Sequence, residues 1–327
     1  MNKFIRVALS CAFAWGCLSG TLLAQQSKPE KPMKLMVPFT PGGGTDIIAR
    51  TLAPKLTEKL GTSVVVENMP GAAGAIAAQY TARAEADGSI LMVGSTSEIG
   101  INPSLYPKLP YNVARDFVAV TPLASTPMVL VVHPSSTIKS AKDLVSMALA
   151  NPGKVNFASA GIGSGAHLAA ELFLYETQTK MAHIPYKGVG AAISDIIGSQ
   201  RDLVLFTTLP SATPLARSGK LRVVAISTKE RVSVMPEVPT FIESGVPGYV
   251  MEYWYGLIAP AGVNADLRKR LHAVTSDILR QPEMVSNLLK QGLQPTYRTP
   301  EEFAAFIKSD MERWAAVVKS ANITLDP

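Results

Sequence analysis

The sequence is poor in the residues from which reactive centres are usually built. Its 327 residues include two cysteines and four histidines. Both cysteines, Cys11 and Cys17, fall inside an N-terminal run that reads as a removable export signal. The mature chain then has none, which excludes a disulfide, a Cys-ligated zinc site and a Cys nucleophile. His133, His167, His183 and His272 show no metal-ligand spacing. No serine occupies a Gly-x-Ser-x-Gly elbow; Ser164 stands between Gly163 and Gly165, but the required spacing fails. The loop Gly161-Ile162-Gly163-Ser164-Gly165 is followed by Ala166-His167, so the Lys and Ser/Thr of a Walker loop are missing. Gly42-Gly43-Gly44 are consecutive, not spaced as in a dinucleotide fingerprint. Charged residues make up only 17% of the chain, without a Lys/Arg cluster or basic-aromatic stripe, so nucleic acid is a poor partner. No enzyme activity, metal or organic cofactor is expected.

What is present is apolar and much interrupted. Apolar residues reach 47%, with 24 glycines and 24 prolines, as in a globular chain of many short elements and sizeable cores. The length suits two domains. Residues 1–6 carry Lys3 and Arg6, residues 7–24 are free of charge, and residues 25–34 are polar and Pro-rich. This is the layout of a secretory signal covering residues 1–24, with cleavage expected after Ala24. Leu22 at the −3 position is a weak match, and an uncleaved anchor is the alternative. Loss of Lys3 and Arg6 changes 31 basic against 25 acidic residues to 29 against 25, a net charge of +4. That balance mildly favours small anionic ligands.

From Lys34 onward strands and helices alternate. Residues 35–39 read as a strand and 46–60 as a helix, with Ile47, Ile48, Leu52, Leu56 and Leu60 at helical spacing. Strands follow at 63–67 and 90–93, around an Ala-rich helix at 75–84. A second series has strands at 128–132 and 155–159, a helix at 166–177, a strand end at 183–186 and a helix at 191–198. Strands at 202–207 and 221–227 and a short helix within 236–248 come next. Amphipathic helices near 265–280 and 300–321 close the chain. This order predicts an α/β fold of doubly wound, mostly parallel sheets with flanking helices. In each series a Gly-rich loop joins an early strand to a helix, at residues 42–44 and 161–165. Such a loop offers unpaired N–H groups at the positive end of a helix dipole, which suits a carboxylate or phosphate. A plain βα turn capped by Thr45 or Asp46 is the competing reading of the first loop. His167 could face the cleft or cap its turn. Asp46 is read first as a helix cap. Tyr253, Trp254 and Tyr255 could stack on a ligand or pack at a domain junction, and packing is the preferred reading.

The ordered motifs resemble the periplasmic solute receptors of the tripartite tricarboxylate transporter family, also called Bug proteins. The resemblance is carried by Pro38-Phe39-Thr40-Pro41-Gly42-Gly43-Gly44-Thr45-Asp46, by Glu67-Asn68 with Pro70-Gly71-Ala72-Ala73-Gly74, and by Leu109-Pro110-Tyr111 with Asp116-Phe117. It continues through Gly161, Gly163-Ser164 and His167-Leu168, then His183-Ile184-Pro185-Tyr186-Lys187-Gly188 and Pro236-Glu237-Val238-Pro239-Thr240. It extends from about Pro32 to the C-terminus. It implies a two-domain periplasmic binding protein of the type II, Venus-flytrap kind, with residues 30–124 plus 251–327 as domain 1 and 125–250 as domain 2. The crossings are expected near residues 123–126 and 249–253. It implies a monomer, exported to the periplasm, that captures a small organic carboxylate and passes it to membrane permease subunits or to a sensor protein; an exported hydrolase using Ser164 is the remaining alternative. The implied ligand-binding residues are Phe39, Thr40, Gly43, Thr45 and Asp46 on the first loop. On the second side they are Ser159, Gly161, Gly163, Ser164 and His167, with Tyr186. Ser95 and Ser97 would tune the ligand. Asp202 is retained, although Arg201 stands where the family commonly has a small aliphatic residue.

Overall fold

The computed structural model describes residues 31–199, 203–320 and 323. The expected export signal and Asp202 lie outside the described residues. The first part of the chain runs β1 (Met33–Val37), α1 (Gly44–Leu60), β2 (Val64–Asn68), α2 (Ala75–Ala82) and β3 (Ile90–Ser95). A π-helical turn at Thr96–Ile101 leads into the short helices α3 (Asn102–Leu105) and α4 (Val113–Asp116). Next come β4 (Phe117–Val132), α5 (Ala141–Ala150), β5 (Asn156–Ser159), α6 (Gly165–Thr177), β6 (Ala182–Pro185), α7 (Val189–Ser199), β7 (Leu203–Thr208), α8 (Leu209–Arg217) and β8 (Arg222–Ile226). The chain closes with β9 (Glu252–Pro260), α9 (Ala265–Arg280), α10 (Pro282–Lys290), β10 (Gln294–Pro295) and α11 (Pro300–Ser320).

The strands lie in the order β2-β1-β3-β9-β4-β7-β5-β6, with β8 and β10 also paired to β4. Two parallel triplets have the same layout. β1 lies between β2 and β3, and β5 lies between β6 and β7. In each triplet the first strand is central, so the chain changes direction around it and leaves a crevice at its carboxyl end. The long strands β4 and β9 join the triplets. Residues Phe117 to Pro127 of β4 pair antiparallel with β9, whereas Met128 to Val132 pair with β7 and β8. The expected α/β, two-domain architecture is the one observed.

Local chemistry explains the main helices. α1 buries Ile48, Leu52, Leu56 and Leu60 on one stripe. It ends where Gly61 takes φ 71° and returns its N–H to the Thr57 carbonyl. α6 buries Leu168 and Phe173. Phe173 packs among Phe206, Phe241 and Tyr249, with ring centroids 5.3 to 6.0 Å away. Tyr249 Oη donates to the Ala169 carbonyl at 3.0 Å. This cluster fixes the position of the α6 N-terminus.

Several expectations need correction. Neither Thr45 nor Asp46 caps α1; the cap is Gly43, and both residues lie within the first turn. β4 begins at Phe117, well before the expected apolar run at 128–132. Pro122 and Pro127 mask its first half, and bulges near Ala119/Thr121 and Pro122/Ala124 accommodate that half. Residues 236–248 form turns rather than a short helix, because Pro236, Pro239 and Pro247 with Gly245 and Gly248 interrupt any helical run. α8 and α10 were not expected. Pro210 and Pro214 disguise α8, although Pro210 falls at the tolerated start of the helix.

Candidate functional site

The loops that leave the two central strands meet at one cavity of about 50 Å³. That volume holds roughly four water-sized groups. Phe39, Gly43, Gly44 and Thr45 line it from the first loop, and Ser164, Gly165 and Ala166 from the second. Ser97, Tyr253 and Tyr255 form the floor, with Met128 and Val189, and Thr207, Thr208 and Ser211 close the β7–α8 side. The lining contains no Asp, Glu, Lys, Arg or His. Any charge placed there must be met by backbone dipoles and hydroxyls.

The β9 sequence Tyr253-Trp254-Tyr255 builds this floor through its strand alternation. Tyr253 and Tyr255 point to one face, and Trp254 to the other. Trp254 donates its Nε1–H to Asp310 at 2.7 Å and packs edge-on against Phe303. A Cβ added at Gly44 would collide with Tyr255 Oη and lie 2.9 Å from Thr208 Oγ1. A Cβ at Gly165 would run into the Tyr253 ring and come within 3.1 Å of Ser97 Oγ. Each tyrosine therefore covers the first residue of one helix, and only glycine fits beneath it. The expected packing role holds for Trp254 but is incomplete for the two tyrosines.

The hydroxyls of the floor form a chain. Gly165 N–H donates to Ser97 Oγ at 2.7 Å. Ser97 Oγ and Tyr253 Oη lie 2.6 Å apart, and Tyr253 Oη and Ser95 Oγ 2.7 Å apart. Ser95 Oγ meets Glu98 Oε2 at 2.7 Å, and the Ser95 N–H donates to Glu98 Oε1. Ser95 and Glu98 form a capping box at the start of the π-helical turn. Glu98 is fully buried, and that burial pushes its carboxyl up to about 8 despite the hydrogen bonds from Ser95. The sequence reading missed Glu98; its only signal was the Ser-x-x-Glu spacing. Tyr255 Oη differs from Tyr253 Oη. It is buried near the Thr208 hydroxyl but has no hydrogen bond of acceptable geometry.

Of the residues expected at the site, Phe39, Gly43, Thr45, Ser97 and Ser164 line the cavity. The other expected residues within the described part of the chain do not line it. Asp46 accepts from the Gly42 N–H at 3.0 Å, Arg50 Nε at 2.9 Å and Asn68 Nδ2 at 3.0 Å. Thr40 lies against Gly188, and its Oγ1 is buried without a hydrogen-bond partner. Ser159 Oγ lies 2.6 Å from His183 Nε2 and accepts from the Gly161 N–H at 3.1 Å. His167 stacks on His183 at 4.2 Å, and its Nδ1 accepts from the Gly163 N–H at 3.2 Å. Burial, then the neighbouring His167, lowers His183 to about 4. Tyr186 bonds to Asp195. Ser164 Oγ accepts from the His167 main-chain N–H at 3.3 Å as the cap of α6, not from a general base. Tyr106, from just beyond α3, donates to the Ile162 carbonyl at 3.0 Å and lies over Gly163. Met128, Val189, Thr207, Thr208 and Ser211 were not anticipated as cavity residues, and ligand contact was the less favoured reading of Tyr255. Apart from Val189, which stands between Gly188 and Gly190, the unanticipated residues have no glycine motif beside them, and only the folded sheet brings them together. Among the described residues no group of His, Cys, Asp and Glu could hold a metal ion, and no helix is long and apolar enough to cross a membrane.

Two α/β domains, joined by long strands and meeting at paired helix N-termini, define a solute-binding receptor. Residues 48–323 match the model of the tripartite tricarboxylate transporter family receptor, and the chain belongs to that family. It is 37% identical to protein BugT of Bordetella pertussis over 298 residues, covering 91% of each chain. A solved R. palustris protein with adipate is 32% identical, with a TM-score of 0.87 over 90% of this chain and 99% of that one. MatC from Rhodopseudomonas palustris, with bound malate, is 31% identical, with a TM-score of 0.84 over 89% of this chain and 100% of that one.

Proposed function

We propose that this protein is an exported periplasmic receptor that captures a small organic carboxylate between two domains and delivers it to a membrane permease. The observation that carries this reading is the convergence of two helix N-termini on a cavity with no charged side chain. The N–H groups at the start of α1 have no acceptor within the helix, and Gly43 provides no side-chain cap. A carboxylate there would be held by backbone donors and the α1 dipole. The carboxylate group placed between the two helix N-termini anchors the ligand in the cavity. The adipate and malate bound by the relatives support a carboxylate as the ligand class.

The lobes in this reading are residues 30–124 plus 251–327 and residues 125–250. The change of partner along β4, from β9 to β7 and β8, supports that division. Capture shifts the protein toward the closed form, because contacts such as Tyr106 with Ile162 exist only when the lobes meet. Asp202 belongs to the proposed cleft by resemblance alone. Titration calorimetry of ligand-stripped mature protein against short mono- and dicarboxylates tests the proposal. At least one acid should bind with a dissociation constant on the order of micromolar or below. A folded sample that binds none of them overturns it.

A further inference from the structure

We infer that Glu98 sets the hydrogen-bonding polarity of the cavity, acting through Ser95 and Tyr253 to decide whether the Ser97 hydroxyl donates to a bound carboxylate. This rests on the carboxylate reading above. The heavy-atom distances along Glu98, Ser95, Tyr253, Ser97 and the Gly165 N–H lie between 2.6 and 2.7 Å. Each hydroxyl has one proton to donate and two lone pairs to accept with. The chain therefore has two ordered states.

With Glu98 ionised, Ser95 must donate to it. Tyr253 then donates to Ser95, and Ser97 donates to Tyr253. Ser97 has no proton left for the cavity. With Glu98 protonated, the carboxyl O–H donates to Ser95, Ser95 donates to Tyr253, and Tyr253 donates to Ser97. Ser97 still accepts from the Gly165 N–H, and its own proton turns toward the cavity that it lines. A proton gained by a carboxyl behind the site thus becomes a hydrogen-bond donor at its wall, although no proton crosses the wall.

A capping box alone does not account for this arrangement. The Ser95 N–H and Oγ would satisfy Glu98 at a helix start in water. Here the carboxyl is fully buried, and no cation forms an ion pair with it among the described residues. The groups on the elements packed against its turn are phenols, one carboxylate paired with an arginine, and one histidine beside a glutamate. Tyr253 and Tyr255 come from β9, and Tyr111 Oη donates to the Glu98 carbonyl at 2.5 Å. From α11 come Asp310 and Arg313, paired at 2.7 Å. From α6 come His167 and Glu171, 3.5 Å apart. Burial raises the carboxyl to about 8, so the protonated, donating state is the resting one near neutral pH.

Binding should therefore take up a proton above about pH 8, and affinity should fall by up to tenfold per pH unit there. The test measures calorimetric affinity across pH in buffers of different ionisation enthalpy, with the tightest carboxylate of the panel. Glu98→Gln, which can donate an N–H to Ser95, should bind with a flat pH profile. Tyr253→Phe should also be flat, because the relay is cut while the Ser97 proton is free. A Tyr253→Phe profile as steep as that of the parent overturns the relay, and so does a flat parent profile. Infrared spectra of the ligand-free protein give a readout independent of binding. A carboxylic-acid band present at neutral pH, lost in alkali and missing in Glu98→Gln supports the switch, and its absence at neutral pH overturns it. If no carboxylate binds at any pH, the receptor reading fails and this band still decides the protonation state on which the switch depends.

Discussion

The two glycine-rich loops occupy equivalent places after the central strands of two parallel triplets, yet they use their N–H groups in opposite ways. Around α6 most of the donors are already taken. Gly163 donates to His167, Ser164 to the Gly161 carbonyl, Gly165 to Ser97 and His167 to Ser164. Around α1, Asp46 takes the Gly42 N–H, while the cap residue Gly43 leaves the first turn without a side-chain acceptor. The first loop therefore keeps the unpaired donors that an anion needs. The second is a preformed wall whose hydroxyls shape and orient the ligand. In the proposed clamp, α1 supplies most of the charge stabilisation and α6 most of the geometry.

Crowding the α1 loop should break this division with the largest effect. Gly44→Val places a side chain where Tyr255 Oη and Thr208 Oγ1 already sit. We expect carboxylate affinity to fall by more than about 100-fold, roughly 3 kcal/mol, while both domains keep their circular dichroism. The family resemblance implied Gly43, and not Gly44, as the ligand-binding glycine of this loop. A Cβ there would meet nothing nearer than Val189 Cγ1 at 3.6 Å, so Gly43→Val should cost less than Gly44→Val. Calorimetry on the two variants decides the order, and the reverse ranking would detach the cavity from ligand capture.

This shift of one residue shows how far the sequence could be read. Both loops and their helices were legible, because three consecutive glycines and a Gly-x-Gly-Ser-Gly run announce tight backbone at a strand end. The alternation of strands and helices gave the layered α/β architecture. The floor was harder to read. Tyr253 and Tyr255 are one strand step apart on the same face, but nothing local says which face meets the helix termini. Thr207, Thr208 and Ser211 reach the cavity only because β7 is placed next to β4 by long-range pairing. Glu98 was hidden for another reason. A glutamate three residues after a serine normally reads as a solvated cap, and only tertiary burial makes it a neutral acid.

A smaller effect should come from exchanging the capping chemistry of the two loops. Ser164→Ala removes the α6 cap and should cost about 1 kcal/mol of stability in urea unfolding, with a modest change in affinity. Gly43→Ser does the reverse at α1. Its hydroxyl would occupy one of the free N–H groups, so stability should stay level or rise slightly while carboxylate affinity drops several-fold. If Gly43→Ser binds more tightly than the parent, the uncapped turn is not the anion site.

Acid should produce the smallest difference and should separate the loops by pH. At the α6 side, His183 is held near 4 against an ordinary value of 6.5. The unfolded chain takes up that proton first, so this contribution is complete above about pH 6.5 and is lost as the pH falls toward 4. At the α1 side, burial opposes the charge on Asp46, but Arg50, the Gly42 N–H and Asn68 outweigh it and hold the carboxyl below its ordinary 3.8. Its contribution is present above that value and is lost only as the pH falls through the lowered one. Arg50 is 53% exposed, so solvent limits that ion pair to about 1 kcal/mol or less. Urea unfolding at stepwise lower pH should therefore show a first loss of stability that is reduced in His183→Asn. A second loss, at lower pH, should be reduced in Asp46→Asn. Should Asp46→Asn flatten the first step instead, the histidine pair would not be the acid-sensitive support of the second loop.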